Sequence, residues 1–138
     1  MFFSKKRDND NESDFVKVGA LLIHTAKIDE NYTMEEEEII KKTLLSLGAN
    51  KDDLETLITK AKQCEEDANQ ILDFTKEIKN LEEIDKIKII RSLWKIIYSN
   101  KDADIYETNL MRRLAGLLYI DSKIMGDIKE EIKKENLK

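Results

Sequence analysis

From Asp14 onward, apolar residues recur at intervals of three and four, the spacing that puts them on one face of a helix. The runs are Phe15, Val18, Leu22 and Ala26; Ile39, Ile40, Thr43, Leu44 and Leu47; and Leu54, Leu57, Ile58, Ala61 and Cys64. They continue with Ala68, Ile71, Phe74, Thr75 and Ile78; Ile84, Ile87, Ile90, Trp94 and Ile97; Leu110, Met111, Leu114, Leu117 and Leu118; and Ile124, Ile128 and Ile132. Seven helices are therefore expected. Residues 84–98 are apolar on more than one face, because Ile89, Leu93 and Ile96 flank the main stripe, which predicts a central helix with Trp94 largely buried. Gly48 and Asn100 follow two of the runs and tolerate the left-handed backbone that ends a helix. Residues 1–13 mix charges and Asn without an apolar period, so they are expected to form a flexible charged tail ahead of one domain over 14–138.

Composition narrows this to a single all-α domain. The chain has 138 residues, of which 41% are hydrophobic, enough for one core. It contains no proline and four glycines, so helix breakers are scarce. A lone cysteine, Cys64, excludes an internal disulfide and a Cys-rich zinc site and fits a reducing, cytoplasmic setting. Lys5, Lys6 and Arg7 stand where a secretory leader would need its apolar stretch, and no apolar run approaches the roughly 20 residues of a membrane span. A net charge of −5 disfavours a phosphate backbone as partner, so no nucleic acid is expected.

Displacing the chain against itself by 71 residues aligns Leu22 with Leu93, Asp29 with Asn100, Glu36 with Glu107, Ile39 with Leu110, Leu47 with Leu118 and Asn50 with Asp121. Two copies of one helix–loop–helix unit, an internal pseudo-two-fold repeat, are the simplest reading. Each copy carries a short polar loop, residues 29–33 and 100–104, with a Glu three residues beyond it.

An apolar helix, an Ala-Asp-Gly loop and an acid seven residues after the Asp form the pattern of the TerB (tellurite-resistance) domain family. That family also supplies the N-terminal region of membrane-anchored J-domain co-chaperones. The sequence resembles it over residues 14–138, with Asp29 and Glu36 matching the Asp and the acid of the first copy and Glu107 the acid of the second. Glu30 and Lys101 replace the Gly, Asn100 replaces the second Asp, and no His-Pro-Asp tripeptide is present, so the J-domain signature is missing. The resemblance implies a TerB-like bundle with a role in stress or tellurite resistance.

The loops offer two kinds of chemistry. Asp29, Asn31, Thr33 and Glu36, and Asn100, Asp102, Asp104 and Glu107, place hard oxygens at alternate positions, as Ca2+ or Mg2+ would require. The EF-hand pattern fails, because the sixth loop position lacks Gly and the twelfth holds Ile40 or Met111. The same residues read as capping boxes, Thr33 with Glu36 and Asp104 with Glu107, and capping by itself accounts for both glutamates. The acids at 35–38 suit either the positive end of a helix dipole or a docking surface for a basic partner.

His24 is the only histidine, which excludes paired Glu-x-x-His and multi-His sites; with Lys95 as its counterpart, it reads as a boundary or surface position. Cys64 falls in phase with Leu57, Ile58 and Ala61 and reads as a small core residue. No nucleophile with a base and no phosphate-cradling glycine loop is present, so no catalytic residue is expected. The expected function is a non-enzymatic interaction module acting on another protein through acidic surfaces, gathered at the inner membrane face. The alternative is a divalent-cation sensor or metal-dependent enzyme built on the two loops. Self-association through apolar surface left on the first and last helices is a third reading.

Overall fold

In the computed structural model, which describes residues 8–28, 32–99 and 105–136, the periodic runs become seven α-helices with no strand among the described residues. They are α1 (Asp8–Ala26), α2 (Met34–Ser46), α3 (Leu54–Asp67), α4 (Leu72–Ile78), α5 (Glu83–Tyr98), α6 (Ile105–Leu117) and α7 (Ser122–Asn136). A single 3-10 turn, Lys51–Asp53, leads into α3.

Helix α1 starts at Asp8, ahead of the first apolar residue of its stripe. Polar residues sustain its opening turns by reaching neighbouring helices: Lys60 Nζ donates to Glu12 Oε1 at 2.5 Å and Ser13 Oγ to Glu77 Oε2 at 3.3 Å. Residues 1–7 of the expected tail lie outside the described residues. The run beginning at Ala68 becomes helical only at Leu72, because Ala68 adopts an extended ψ of 142° that ends α3. The Asp73 carboxylate then accepts the amides of Asn69 at 2.9 Å and Gln70 at 3.4 Å across the turn.

The core has two hubs where one was expected. Helix α5 packs on α1, α2 and α7, and α1 packs on α2, α3, α4 and α5, burying every residue from 18 to 23. Gly19 makes this possible, since a Cβ there would stand 2.9 Å from the Ala61 Cβ, so α1 meets α3 at a distance that only glycine allows. Trp94 is buried as expected, stacked on Tyr98 with ring centroids 6.0 Å apart. Ile84 departs from the expected stripe: it is 62% exposed, because it lies in the first turn of α5, and burial falls on Lys86, Ile89, Ile90, Leu93, Ile96 and Ile97.

Local geometry recurs at a spacing of 71 residues. Helices α2 and α6 begin at 34 and 105 and end at 46 and 117. Each is followed by a left-handed residue, Gly48 at φ 111° and Tyr119 at φ 59°. The closing bonds match as well: Ala49 N donates to Leu44 O and Ile120 N to Ala115 O, both at 2.9 Å. The next helical segments open on Asn50, whose Oδ1 accepts from Asp52 N, and on Asp121, whose Oδ1 accepts from Lys123 N. Asn100, expected to cap α5, lies outside the described residues; among the described residues the second left-handed cap is Tyr119.

Candidate functional site

The opening turn of α2 is built on Thr33, whose extended backbone (φ −98°, ψ 164°) turns its hydroxyl toward the helix start. Thr33 Oγ1 accepts from Glu36 N at 3.1 Å and Glu36 Oε1 accepts from Thr33 N at 2.8 Å, a reciprocal capping box. Glu36 is only 2% exposed. Its counterpart Glu107, also at the third helical position, is likewise buried. The other expected ligands, Asp29, Asn31, Asn100, Asp102 and Asp104, lie outside the described residues. Among the described residues no three His, Cys, Asp or Glu side chains converge as a metal-binding group.

The acidic run at 35–38 divides its duties according to helical phase. Glu36 points inward to the cap, and Glu37 crosses to α3, 3.0 Å from Lys62 Nζ, with Lys41 Nζ at 3.8 Å. Glu37 also accepts from the Tyr32 hydroxyl at 3.1 Å. Partial burial pushes the Glu37 carboxyl up, but the bonds from Lys62 and Tyr32 outweigh it and hold the group below the usual carboxylate range. Burial and the adjacent Glu37 push the Tyr32 phenol well above its ordinary value. Glu35 and Glu38 remain exposed beside Met34, which is 87% exposed.

His24 is half-buried at the end of α1, its Nδ1 3.4 Å from Glu65 Oε2, while Lys27 Nζ holds Glu65 Oε1 at 2.7 Å. Its ring meets Phe74 at a tilt, with centroids 6.0 Å apart, a boundary position of the kind expected. Cys64 is half-buried and packs against the rim of the core.

Two buried charges on α5 escaped the sequence reading, because Asp85 and Lys86 look like an ordinary solvated pair in a first turn. Lys86 is buried and its Nζ donates to Leu118 O at 2.9 Å, closing the C-terminus of α6. Asp85 is 2% exposed, and its Oδ2 has no hydrogen-bond partner among the described residues. Burial raises its carboxyl above the ordinary range, against the pull of Lys88, whose Nζ lies 3.9 Å from Oδ1.

An all-helical domain in which two helices 71 residues apart each open on a buried glutamate and close on a left-handed turn is the class that fold and site define. The chain belongs to the TerB family, since the family model described as tellurite resistance protein TerB matches residues 15–130. No curated protein and no solved structure matches the chain. No helix among the described residues is long and apolar enough to cross a membrane.

Proposed function

We propose that this TerB-family domain is a non-enzymatic, cytoplasmic interaction module that meets another protein, gathered at the inner membrane face, through the acidic opening turn of α2. The observation that carries the reading is the division within residues 35–38. Glu36 and Glu37 are used internally, whereas Glu35 and Glu38 are exposed beside Met34 and join no ion pair among the described residues. Capping and the helix dipole are already served by the buried acid, so the two outer carboxylates and the apolar Met34 form a surface suited to a basic, partly apolar partner. The family's description points to tellurite resistance as the setting. In cells lacking the gene, the wild-type chain should restore tellurite tolerance and Glu35→Lys/Glu38→Lys should not, although its melting temperature is unchanged. Full restoration by the double variant would remove the acidic turn from the function.

The recurrence of caps and turns at a 71-residue spacing supports reading α1–α3 and α5–α7 as two copies of one unit. It also favours a second functional reading, a divalent-cation sensor. Glu36 and Glu107 are buried at equivalent positions, directly after the loops that carry Asp29, Asn31, Asn100, Asp102 and Asp104. Oxygen ligands of this kind suit Ca2+ or Mg2+, although Glu36 Oε1 is committed to the Thr33 amide. Calorimetric titration with either ion should then show saturable heat that Asp29→Ala abolishes, and the absence of heat would leave the glutamates as caps.

A further inference from the structure

Between α2 and α5 runs an open groove of about 420 Å³ whose walls are matched stripes of the two helices. Helix α2 contributes Ile39, Lys42, Thr43 and Ser46, and α5 contributes Lys88, Arg91, Ser92 and Lys95, each set spaced i, i+3, i+4, i+7. Four cationic side chains thus line one concavity in a chain of net charge −5. Lys42 and Lys95 are exposed and enter no ion pair among the described residues. Lys88 Nζ donates to Ser46 O at 3.2 Å and stays 3.9 Å from Asp85, and Arg91 pairs with Glu131 at the rim. At the floor, Thr43 Oγ1 lies 2.6 Å from Ser92 Oγ, each hydroxyl also within reach of its own helix, Thr43 at Ile39 O (2.7 Å) and Ser92 at Lys88 O (3.0 Å).

The molecule contains its own comparison. Positions 71 residues away border the groove lined by His24, Ile28, Tyr106, Asn109, Leu110 and Arg113, between the end of α1 and α6. There the floor positions equivalent to Thr43 and Ser92 are Leu114 and Leu21, both fully buried. Lys42 and Lys88 correspond to Arg113 and Lys17, which keep the charge, whereas Arg91 and Lys95 correspond to Ala20 and His24. The hydroxyls and the added cations Arg91 and Lys95 distinguish the α2–α5 half, and the cations raise like-charge repulsion there. A volume inside the roughly 300–1,000 Å³ range of small-molecule sites, walls that supply positive charge and a floor that supplies hydroxyls are the features of an anion site.

We propose that the α2–α5 groove binds a small polyanion of the phosphate class, with Lys42, Lys88, Arg91 and Lys95 as counter-charges around the Thr43 and Ser92 hydroxyls. This site is separate from the acidic turn of α2 and does not depend on the role given to it. Lysines supply adaptable point charges, Arg91 can engage two oxygens of one phosphoryl group, and the hydroxyls can turn from their helix carbonyls to donate to the ligand.

Inorganic pyrophosphate is the probe, titrated into the full chain in phosphate-free buffer and followed by calorimetry and by amide chemical shifts. Saturable binding of one equivalent is expected, with shifts concentrated on α2 and α5. Lys42→Gln/Lys95→Gln, which removes two exposed lysines and should melt like wild type, is expected to weaken binding by about tenfold or more, the equivalent of about 1.4 kcal/mol. Lys51→Gln/Lys133→Gln makes the same charge change outside the groove and should leave binding as it was. No saturation, shifts away from the groove, or equal weakening in both double variants would overturn the assignment, the last by reducing it to diffuse charge attraction.

Discussion

Asp85 illustrates how far one side chain's environment can depart from its place in the sequence. It sits in the first turn of α5, where acids complement the helix dipole, yet it is buried, with Oδ2 unpartnered among the described residues. Because burial raises its folded-state pKa, the folded protein holds this proton more tightly than the unfolded chain does. The stabilisation linked to that proton is present below the unfolded pKa and is lost as pH rises through the folded one, so above the folded pKa the ionised carboxylate works against folding. Asp85→Asn should therefore stabilise the protein near neutral pH, on the order of 1 kcal/mol. The advantage should shrink as both proteins are melted at progressively lower pH. Glu37 runs the other way: its lowered pKa gives stability that falls away in acid, but it does so in wild type and variant alike and cancels in the comparison. An advantage that stays constant down to acid pH would mean that Asp85 binds its proton equally well folded and unfolded, and that burial does not penalise its ionised form. None of this was legible in the sequence, since an Asp beside Lys86 and Lys88 reads as solvated until the chain packs around it.

At the scale of elements, the two matched turns after α2 and α6 differ in a way that backbone sterics makes measurable. Gly48 occupies φ 111°, which an L side chain adopts only with strain, so Gly48→Ala should lower stability by about 1 kcal/mol or more. Tyr119 already bears a similar strain at φ 59°, and it is 70% exposed, with Lys86 Nζ 5.7 Å from its ring centre. Releasing it with Tyr119→Gly should leave stability unchanged or raise it by up to about 1 kcal/mol, the relief of a left-handed residue set against glycine's greater freedom when unfolded. Chemical denaturation of the two variants side by side should lower the midpoint of Gly48→Ala and leave that of Tyr119→Gly at or above wild type. A clear loss in Tyr119→Gly would show that the ring contact with Lys86 outweighs the backbone term. Gly48 was legible as a cap because its type announces it. Tyr119 was not, because its residue type does not favour that conformation, which accompanies the closing hydrogen bond from Ile120 N to Ala115 O. The capping box of α2 was legible in full, since all of its atoms lie within four consecutive residues.

Across the whole molecule, the contact between α1 and α3 sets how closely the first hub can assemble. Gly19→Ala would gain about 1 kcal/mol of helix propensity but would place a Cβ 2.9 Å from that of Ala61, two rigid atoms with no rotamer to absorb the overlap. Overpacking of this kind costs about 1–3 kcal/mol, so the variant should melt below wild type, and Gly19→Ala/Ala61→Gly should recover part of the loss. A variant more stable than wild type would show that the two helices can separate without penalty. The sequence by itself determined the helical class, the number of helices and the cap of α2, because these depend on residues within a turn or two of one another, where a 3.6-residue period and side-chain-to-backbone bonds act. It also held the 71-residue correspondence, although not its meaning. Only the tertiary structure decided that α1 shares the core with α5, that Asp85 and Lys86 are buried, and that Lys42 on α2 and Lys88, Arg91 and Lys95 on α5 line one groove. A helix's own sequence marks which of its faces is polar, but which polar faces meet is set by the packing of apolar faces against partners distant in the chain.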